Sequence, residues 1–349
     1  MKNSNIQLLR GISILLVIFT HLGVFIPNSR TFQLLHSFFD TSIGVDLFFI
    51  ISGYLMGETF LKAIHNKALS SEDTIIFYKK RILRLYSPCF FWATLILLFS
   101  WIWLDLKYFK EFRQILGVFF GAITFTGNFY NATHPTVFGY FWSLGVEMQF
   151  YILLPLLVAL TVRHRWFPCL FLLLAFTAVP GGIKTWWMFR ANGLFIGLLL
   201  WFFTQTTSCD SITKKLNQFP IIVVTTIFSL AIFSACYLSY PYKIFGGVAH
   251  TIIALILALA FFSVTFYEKP VLGPFSKPLE ALGDISFSLY LCHLPIFLMT
   301  KYLLLDHIKN HYFIAAMGIL LAIISACLSY RFLERRSQKI RHNQIEPYR

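Results

Sequence analysis

Charge is scarce in this chain. Asp, Glu, Lys and Arg make up 13% of its 349 residues, about half the share usual in a soluble domain. Acids are scarcer than bases, 15 against 29. Alternating apolar–polar segments are missing too. The apolar runs are continuous and much longer than the strands of a transmembrane β-barrel, which excludes that class. Six cysteines are scattered at Cys89, Cys169, Cys209, Cys236, Cys292 and Cys327, with no C-x-x-C or other metal-ligand spacing. They read as small buried hydrophobes, and no metal is expected. No Gly- or Ser-rich linker and no low-complexity tract interrupts the chain. No small-x-small cleavage site follows the first apolar run, so that run is expected to remain as the first span.

What fills the chain instead is hydrocarbon: 57% of residues are hydrophobic and 18% aromatic. This is the composition of an all-α, polytopic membrane protein. A net charge of +14 invites a nucleic-acid reading. That reading is excluded because most basic residues sit in short loops between apolar spans, where topology rules and anionic lipid headgroups put them.

Ten spans are expected: Leu8–Ile26, Ile43–Leu61, Ile82–Leu104, Phe138–Leu160, Phe167–Val179, Trp186–Phe203, Phe219–Tyr240, Gly247–Tyr267, Gly283–Leu305 and Tyr312–Phe332. Positive-inside bias places the loop with Lys62, Lys67, Lys79, Lys80, Arg81 and Arg84 in the cytoplasm. Arg163, His164 and Arg165 lie inside as well, and so do Lys214 and Lys215, Lys269 and Lys277. The mixed loop Asp105–Gln114 fits outside. One further run, Ile115–Phe129, holds Gly117, Gly121 and Gly127 and is too short to cross. The loop charges leave room for one crossing there, already taken by Phe138–Leu160, so this run is expected to be re-entrant or interfacial. Both termini then lie in the cytoplasm. Residues 1–335 read as one membrane domain. Residues 336–349, with Arg336, Lys339 and Arg341, read as a short basic cytoplasmic tail.

Against this apolar background, ionisable residues inside spans stand out, because such groups are costly in hydrocarbon and face a bundle interior or a wet cavity. The first span carries Arg10 and His21. Eleven residues make about three turns, so both side chains leave one face, about 16 Å apart. Asp46 lies near the outer end of the second span, at a depth similar to His21. A carboxylate beside an imidazole raises its basicity and fixes its tautomer, as a general base requires. Otherwise His21 is an interior histidine bonded to a backbone carbonyl. Glu147 and His293 fall near mid-membrane. Glu147 is either a reactive carboxylate or a packing hydrogen bond. For His293, Pro295 suggests a kink whose freed carbonyls the ring satisfies. Arg81 and Arg84 share a helix face at the cytoplasmic surface. They are either an ordinary positive-inside anchor or a pair that grips phosphate.

Taken together these residues resemble the acyltransferase-3 family, bacterial inner-membrane acyltransferases of surface glycans. The resemblance rests on Arg10 and His21 in the first helix, Gly44-Val45-Asp46-x-Phe48-Phe49-x-x-Ser52-Gly53, and Arg81-x-x-Arg84 with Pro88. It also rests on Trp142-Ser143-Leu144-x-x-Glu147-x-x-Phe150-Tyr151, the stretch Ser286 to His293, and Ser329-Tyr330-x-x-x-Glu334. It implies an O-acyltransferase with acyl-CoA, usually acetyl-CoA, as cytoplasmic co-substrate. The acceptor would be a hydroxyl of a surface or lipid-linked polysaccharide such as lipopolysaccharide or exopolysaccharide. In that reading Arg81 and Arg84 hold the CoA phosphates with help from Arg10. His21, oriented by Asp46, is the base, with Glu147 and His293 completing the catalytic set. Trp142, Ser143 and Tyr151 are candidate donors to the developing oxyanion. Some members carry an added extracytoplasmic domain. The chain as read expects a stand-alone membrane domain, with direct transfer or a separate extracytoplasmic transferase as partner. A proton-coupled transporter or a glycan-precursor flippase would also place such residues at membrane depth.

Overall fold

A computed structural model describes residues 4–26, 29–62, 69–102, 112–159, 166–179, 188–239 and 246–336. Lys67, Arg163, His164, Arg165, Lys339 and Arg341, on which part of the loop-charge argument rests, lie outside the described residues, as does nearly all of the tail. Among the described residues every regular element is helical.

In chain order the α-helices are α1 Ser4–His21, α2 Arg30–Phe38, α3 Ile43–Met56, α4 Ser71–Ile102, α5 Phe112–Ile123, α6 Gly127–Thr133, α7 Trp142–Ala159 and α8 Trp166–Thr177. Then follow α9 Asn192–Thr204, α10 Thr207–Gln218, α11 Ile221–Ser239, α12 Gly247–Thr265, α13 Ser276–Leu305 and α14 His311–Ser329. Among the described residues, eight helical stretches are long and apolar enough to cross a membrane. They contain α1, α3, α4, α7, α11, α12, α13 and α14. The two remaining expected spans appear as α8 and α9, with 12 and 13 described residues. At the α-helical rise these reach about 18–20 Å, short of a bilayer core.

The ambiguous run at 115–129 is not one helix. It turns between α5 and α6, with Phe125 at φ 56°, and Gly121 lets the two short helices touch, its missing Cβ lying 3.1 Å from the Gly127 Cα. Neither arm crosses alone. The helices of the basic loop and of the ninth span start earlier than hydropathy indicates, at Ser71 and Ser276. Arg81 and Arg84 therefore sit in a continuous helix.

Tight crossings hold the polar stripe of α1 against its neighbours. A Cβ on Gly283 of α13 would lie 1.9 Å from the Gln7 carbonyl oxygen, and one on Gly11 would lie 2.0 Å from that of Leu279. In lipid the hydrophobic effect gives helices no reason to associate, so close backbone packing through small residues has to do that work. α3 and α9 meet in the same way at Gly53 and Gly197. α13 is broken chemically at Pro295, which cannot donate to the Leu291 carbonyl. The Tyr140 hydroxyl donates to that oxygen instead, at 2.8 Å. The freed carbonyl is thus satisfied by a tyrosine, not by the His293 ring as the sequence suggested.

Replacing Gly283 with Val should separate α1 from α13 and lower stability by about 1–3 kcal/mol. The check is the unfolding midpoint in detergent. An unchanged midpoint would show that the crossing is looser than drawn.

Candidate active site

His21 closes α1. Its Nδ1 lies 2.8 Å from the Val17 carbonyl oxygen, one turn back. A carbonyl only accepts, so Nδ1 carries the proton and Nε2 keeps its lone pair. His293 of α13 is built alike: Nδ1 donates to the Tyr290 carbonyl at 2.7 Å and, more weakly, to that of Leu289 at 3.2 Å. It is fully buried, and its Nε2 has no hydrogen-bond partner among the described residues. The two imidazoles pack edge to face with centroids 4.9 Å apart.

Asp46 is not the residue that orients His21. Arg190 takes both carboxylate oxygens, Nε to Oδ1 and Nη2 to Oδ2, each at 3.0 Å. Both residues are buried, and the guanidinium lies 4.9 Å over the Trp142 ring. Equal depth on two helices does not fix which way each side chain points. The bidentate fork of arginine is the stronger partner for a buried carboxylate. His21 is oriented instead by its own helix and by His293.

Two chambers flank this point. The histidine chamber, about 360 Å³, is lined by Thr20, His21, Asp40, Ser42, Trp142 and Arg190. The arginine chamber, about 60 Å³, is lined by Arg10, Ser52, Arg84, Ser143, Glu147 and Ser286. Val45 and Tyr290 line both and form the partition between them. Tyr290 is fixed there by its hydroxyl, which donates to the Tyr140 carbonyl at 2.8 Å and receives a bond from Ser143 at 2.7 Å.

The paired arginines of α4 part company. Arg84 faces the arginine chamber with Arg10. Among the described residues neither makes a hydrogen bond or ion pair. Arg81 is buried, donates to the Thr59 hydroxyl at 3.0 Å and lies over the rings of Phe77 and Tyr151. Residues three apart on a helix differ by about 60° in direction. Here that angle suffices to seat one in a protein contact and the other in a cavity. Glu147 accepts from Ser52 at 2.5 Å and from Tyr151. It is therefore hydrogen-bonded while still lining the chamber, and forms no hydrogen bond to Arg10. Of the three oxyanion candidates, Tyr151 has committed its hydroxyl to Glu147 and Ser143 has committed its own to Tyr290. Trp142 lies across the partition in the histidine chamber.

Three residues escaped the sequence reading of the site. Arg190 was legible: it falls at the outer end of an expected span, where positive-inside bias does not explain a cation. Tyr290 looks like any aromatic, and only the packing reveals its place. Glu334, noted merely as part of a closing motif, ends a π-helical turn after α14. It is buried, accepts from Ser288 at 2.5 Å and feels the charges of Arg10 and Arg84.

Breaking the Asp46–Arg190 pair from one side leaves a buried charge alone, and Arg190→Met should cost about 3–5 kcal/mol of stability. Asp46→Asn added to it should recover part of that loss in thermal unfolding. Strictly additive losses would show that the two are not an energetic pair.

The acyltransferase-domain family matches residues 3–330. Relatives include O-acetyltransferase OatA of Staphylococcus aureus strain NCTC 8325, 26% identical over 333 residues, covering 85% of this chain and 52% of the relative. Peptidoglycan O-acetyltransferase OatA of Listeria monocytogenes is 26% identical over 326 residues, covering 85% of this chain and 51% of its own. The putative peptidoglycan O-acetyltransferase YrhL of Bacillus subtilis is 26% identical over 329 residues, covering 84% and 50%. The chain thus spans about half the length of these relatives. No solved structure matches. With a family match running from the start of α1 to the end of α14, the chain belongs to the acyltransferase-3 family of multi-pass membrane proteins.

Proposed function

We propose that this protein is a membrane O-acetyltransferase of the bacterial cytoplasmic membrane. It moves an acetyl group from acyl-CoA on the cytoplasmic side to a hydroxyl of a cell-envelope polysaccharide on the outer side. The names of the relatives point to peptidoglycan as the acceptor class, ahead of the lipopolysaccharide or exopolysaccharide expected from the sequence. The observation that carries the reading is the pair of chambers meeting at Tyr290. One holds two guanidiniums that make no hydrogen bond or ion pair among the described residues, and the other an imidazole whose Nε2 makes no hydrogen bond among them. The loop charges orient the arginine chamber toward the cytoplasm.

Each group suits one task. Arg10 and Arg84 are free to bind the phosphates of the donor. Arg81 keeps a supporting role: it holds the π-helical turn that follows α3 through Thr59. His21 takes the acceptor hydroxyl proton at Nε2, the acceptor oxygen attacks the thioester carbonyl carbon, the carbon–sulfur bond breaks, and the proton passes to the leaving sulfur. His293 stands behind His21 and positions it, since it lines neither chamber. At about 60 Å³ the arginine chamber has room for only a handful of water-sized molecules. Loading the donor therefore requires the partition side chains to move.

Reconstituted protein with labelled acetyl-CoA and a soluble peptidoglycan fragment tests this. His21→Ala should lower kcat by about a hundred- to ten-thousandfold, and retained transfer would overturn its role. Arg84→Ala should raise the KM for acetyl-CoA about ten- to a hundredfold. An unchanged KM would remove the arginine chamber from donor binding.

A further inference from the structure

A third cavity lies beside the histidine chamber. It is an open groove of about 420 Å³ between α1, α2 and α11, lined by apolar residues including Ile12, Phe19, Phe39, Phe228 and Phe233. On α11 it runs from Phe228 to Cys236, about 12 Å along the helix axis. The charge-based topology puts that stretch in the outer half of the bilayer. Its lining is almost wholly hydrocarbon, whereas the chamber next to it holds His21, Asp40 and Arg190.

Two neighbouring residues of the chain stand between them. Asp40 lines the chamber and Thr41 lines the groove. This short link is pinned on both sides by hydrogen bonds. Thr41 bonds through its hydroxyl to Thr20 of α1, which lines the chamber, at 2.7 Å. Asp40 accepts from Ser239 at 3.2 Å and donates its backbone N–H to the Cys236 carbonyl at 3.0 Å. Side-chain hydroxyl bonds contribute about 1 kcal/mol each, so the Thr20–Thr41 contact opens readily. At the outer end stands α2, nine residues without a buried side chain. Phe32 and His36 pack on Phe19, and Leu34, Leu35 and Phe38 are exposed. Leu35 reaches the groove. That is the pattern of a helix lying in the interface plane.

We infer that the groove is the docking site for the hydrocarbon chain of a lipid-linked saccharide acceptor. The chain lies along α11 in the outer leaflet, and its sugar passes over the Asp40–Thr41 wall to His21. The inference rests on the acyltransferase reading for the identity of the sugar, and on the adjoining polar and apolar cavities for the lipid. An ordinary phospholipid would fill the groove but has no use for a saccharide-sized polar chamber across the Asp40–Thr41 wall. A soluble glycan would use the chamber and leave the groove idle.

Two experiments decide it. The first uses a polyprenyl-diphosphate-linked N-acetylglucosaminyl disaccharide with a photoactivatable group near the start of its chain, in vesicles with excess phosphatidylglycerol and no acyl donor. The label should concentrate on the α11 segment facing the groove, around Phe228 and Phe233. Spread over α11 in proportion to exposure, with Ile222 and Leu230 equally marked, it would overturn the inference. The second measures acetyl transfer to the same tailed disaccharide. Ser229→Trp, which fills the groove, should raise its KM about tenfold. Leu230→Trp, the next residue on the lipid face of the same helix, should not. Equal effects of the two substitutions would count against the groove. Should wild-type protein acetylate no acceptor at all, the acyltransferase reading fails while the labelling pattern still decides the groove.

Discussion

A bilayer tolerates an ionisable side chain only if the protein or a wet cavity takes it in. The rest of this structure depends on that constraint, because it sorts the buried polar groups into two kinds. Most are satisfied by protein: Asp46 by Arg190, Glu147 by Ser52 and Tyr151, Glu334 by Ser288, Arg81 by Thr59 and two aromatic rings. A few are left open toward a cavity: Arg10 and Arg84 on one side of Tyr290, and His21 on the other. The satisfied groups fix where the helices stand. The open ones are where chemistry can occur. Groups held by protein and groups left open to a cavity thus look alike in the sequence.

Helix packing gives that division its geometry. Gly11 and Gly283 bring α1 against α13, so that His21 and His293 meet. Gly53 and Gly197 bring α3 against α9, next to the Arg190 that holds Asp46. Where Pro295 breaks the regular ladder of α13, a side chain repairs it close to the site. Tyr140 caps the carbonyl freed by Pro295. The π-helical stretch Gly57–Leu61 carries Thr59 to Arg81, and Tyr330–Glu334 carries Glu334 to Ser288. Departures from ideal helix of this kind gather at functional sites.

Much of this was legible in one dimension, and the reason it stopped there is physical. Hydropathy and rise per residue give an expected depth, so the membrane class follows from the chain alone, and with it the levels expected of Arg10, His21, Asp46 and Glu147. Depth says nothing about azimuth or about which neighbour is nearest. That is why Asp46 reads as the partner of His21 and turns out to belong to Arg190. It is also why Arg81 and Arg84 read as one site and separate into a buried contact and a cavity wall. The run at 115–129 shows the same limit. Its length rules out a single crossing, but the turn at Phe125 and the glycine contact behind it depend on tertiary packing. Tyr290 carries no local signal at all, since a partition is a property of the two spaces it divides.

If the arginine and histidine chambers serve opposite faces of the membrane, transfer has to run across it. Protein reconstituted in one orientation, with acetyl-CoA supplied on one side and a soluble saccharide acceptor on the other, measures this directly. The account predicts acetylated product when the donor meets the arginine side and the acceptor the histidine side, and none when both are confined to the same face. Equal product with donor and acceptor together on one face would contradict it.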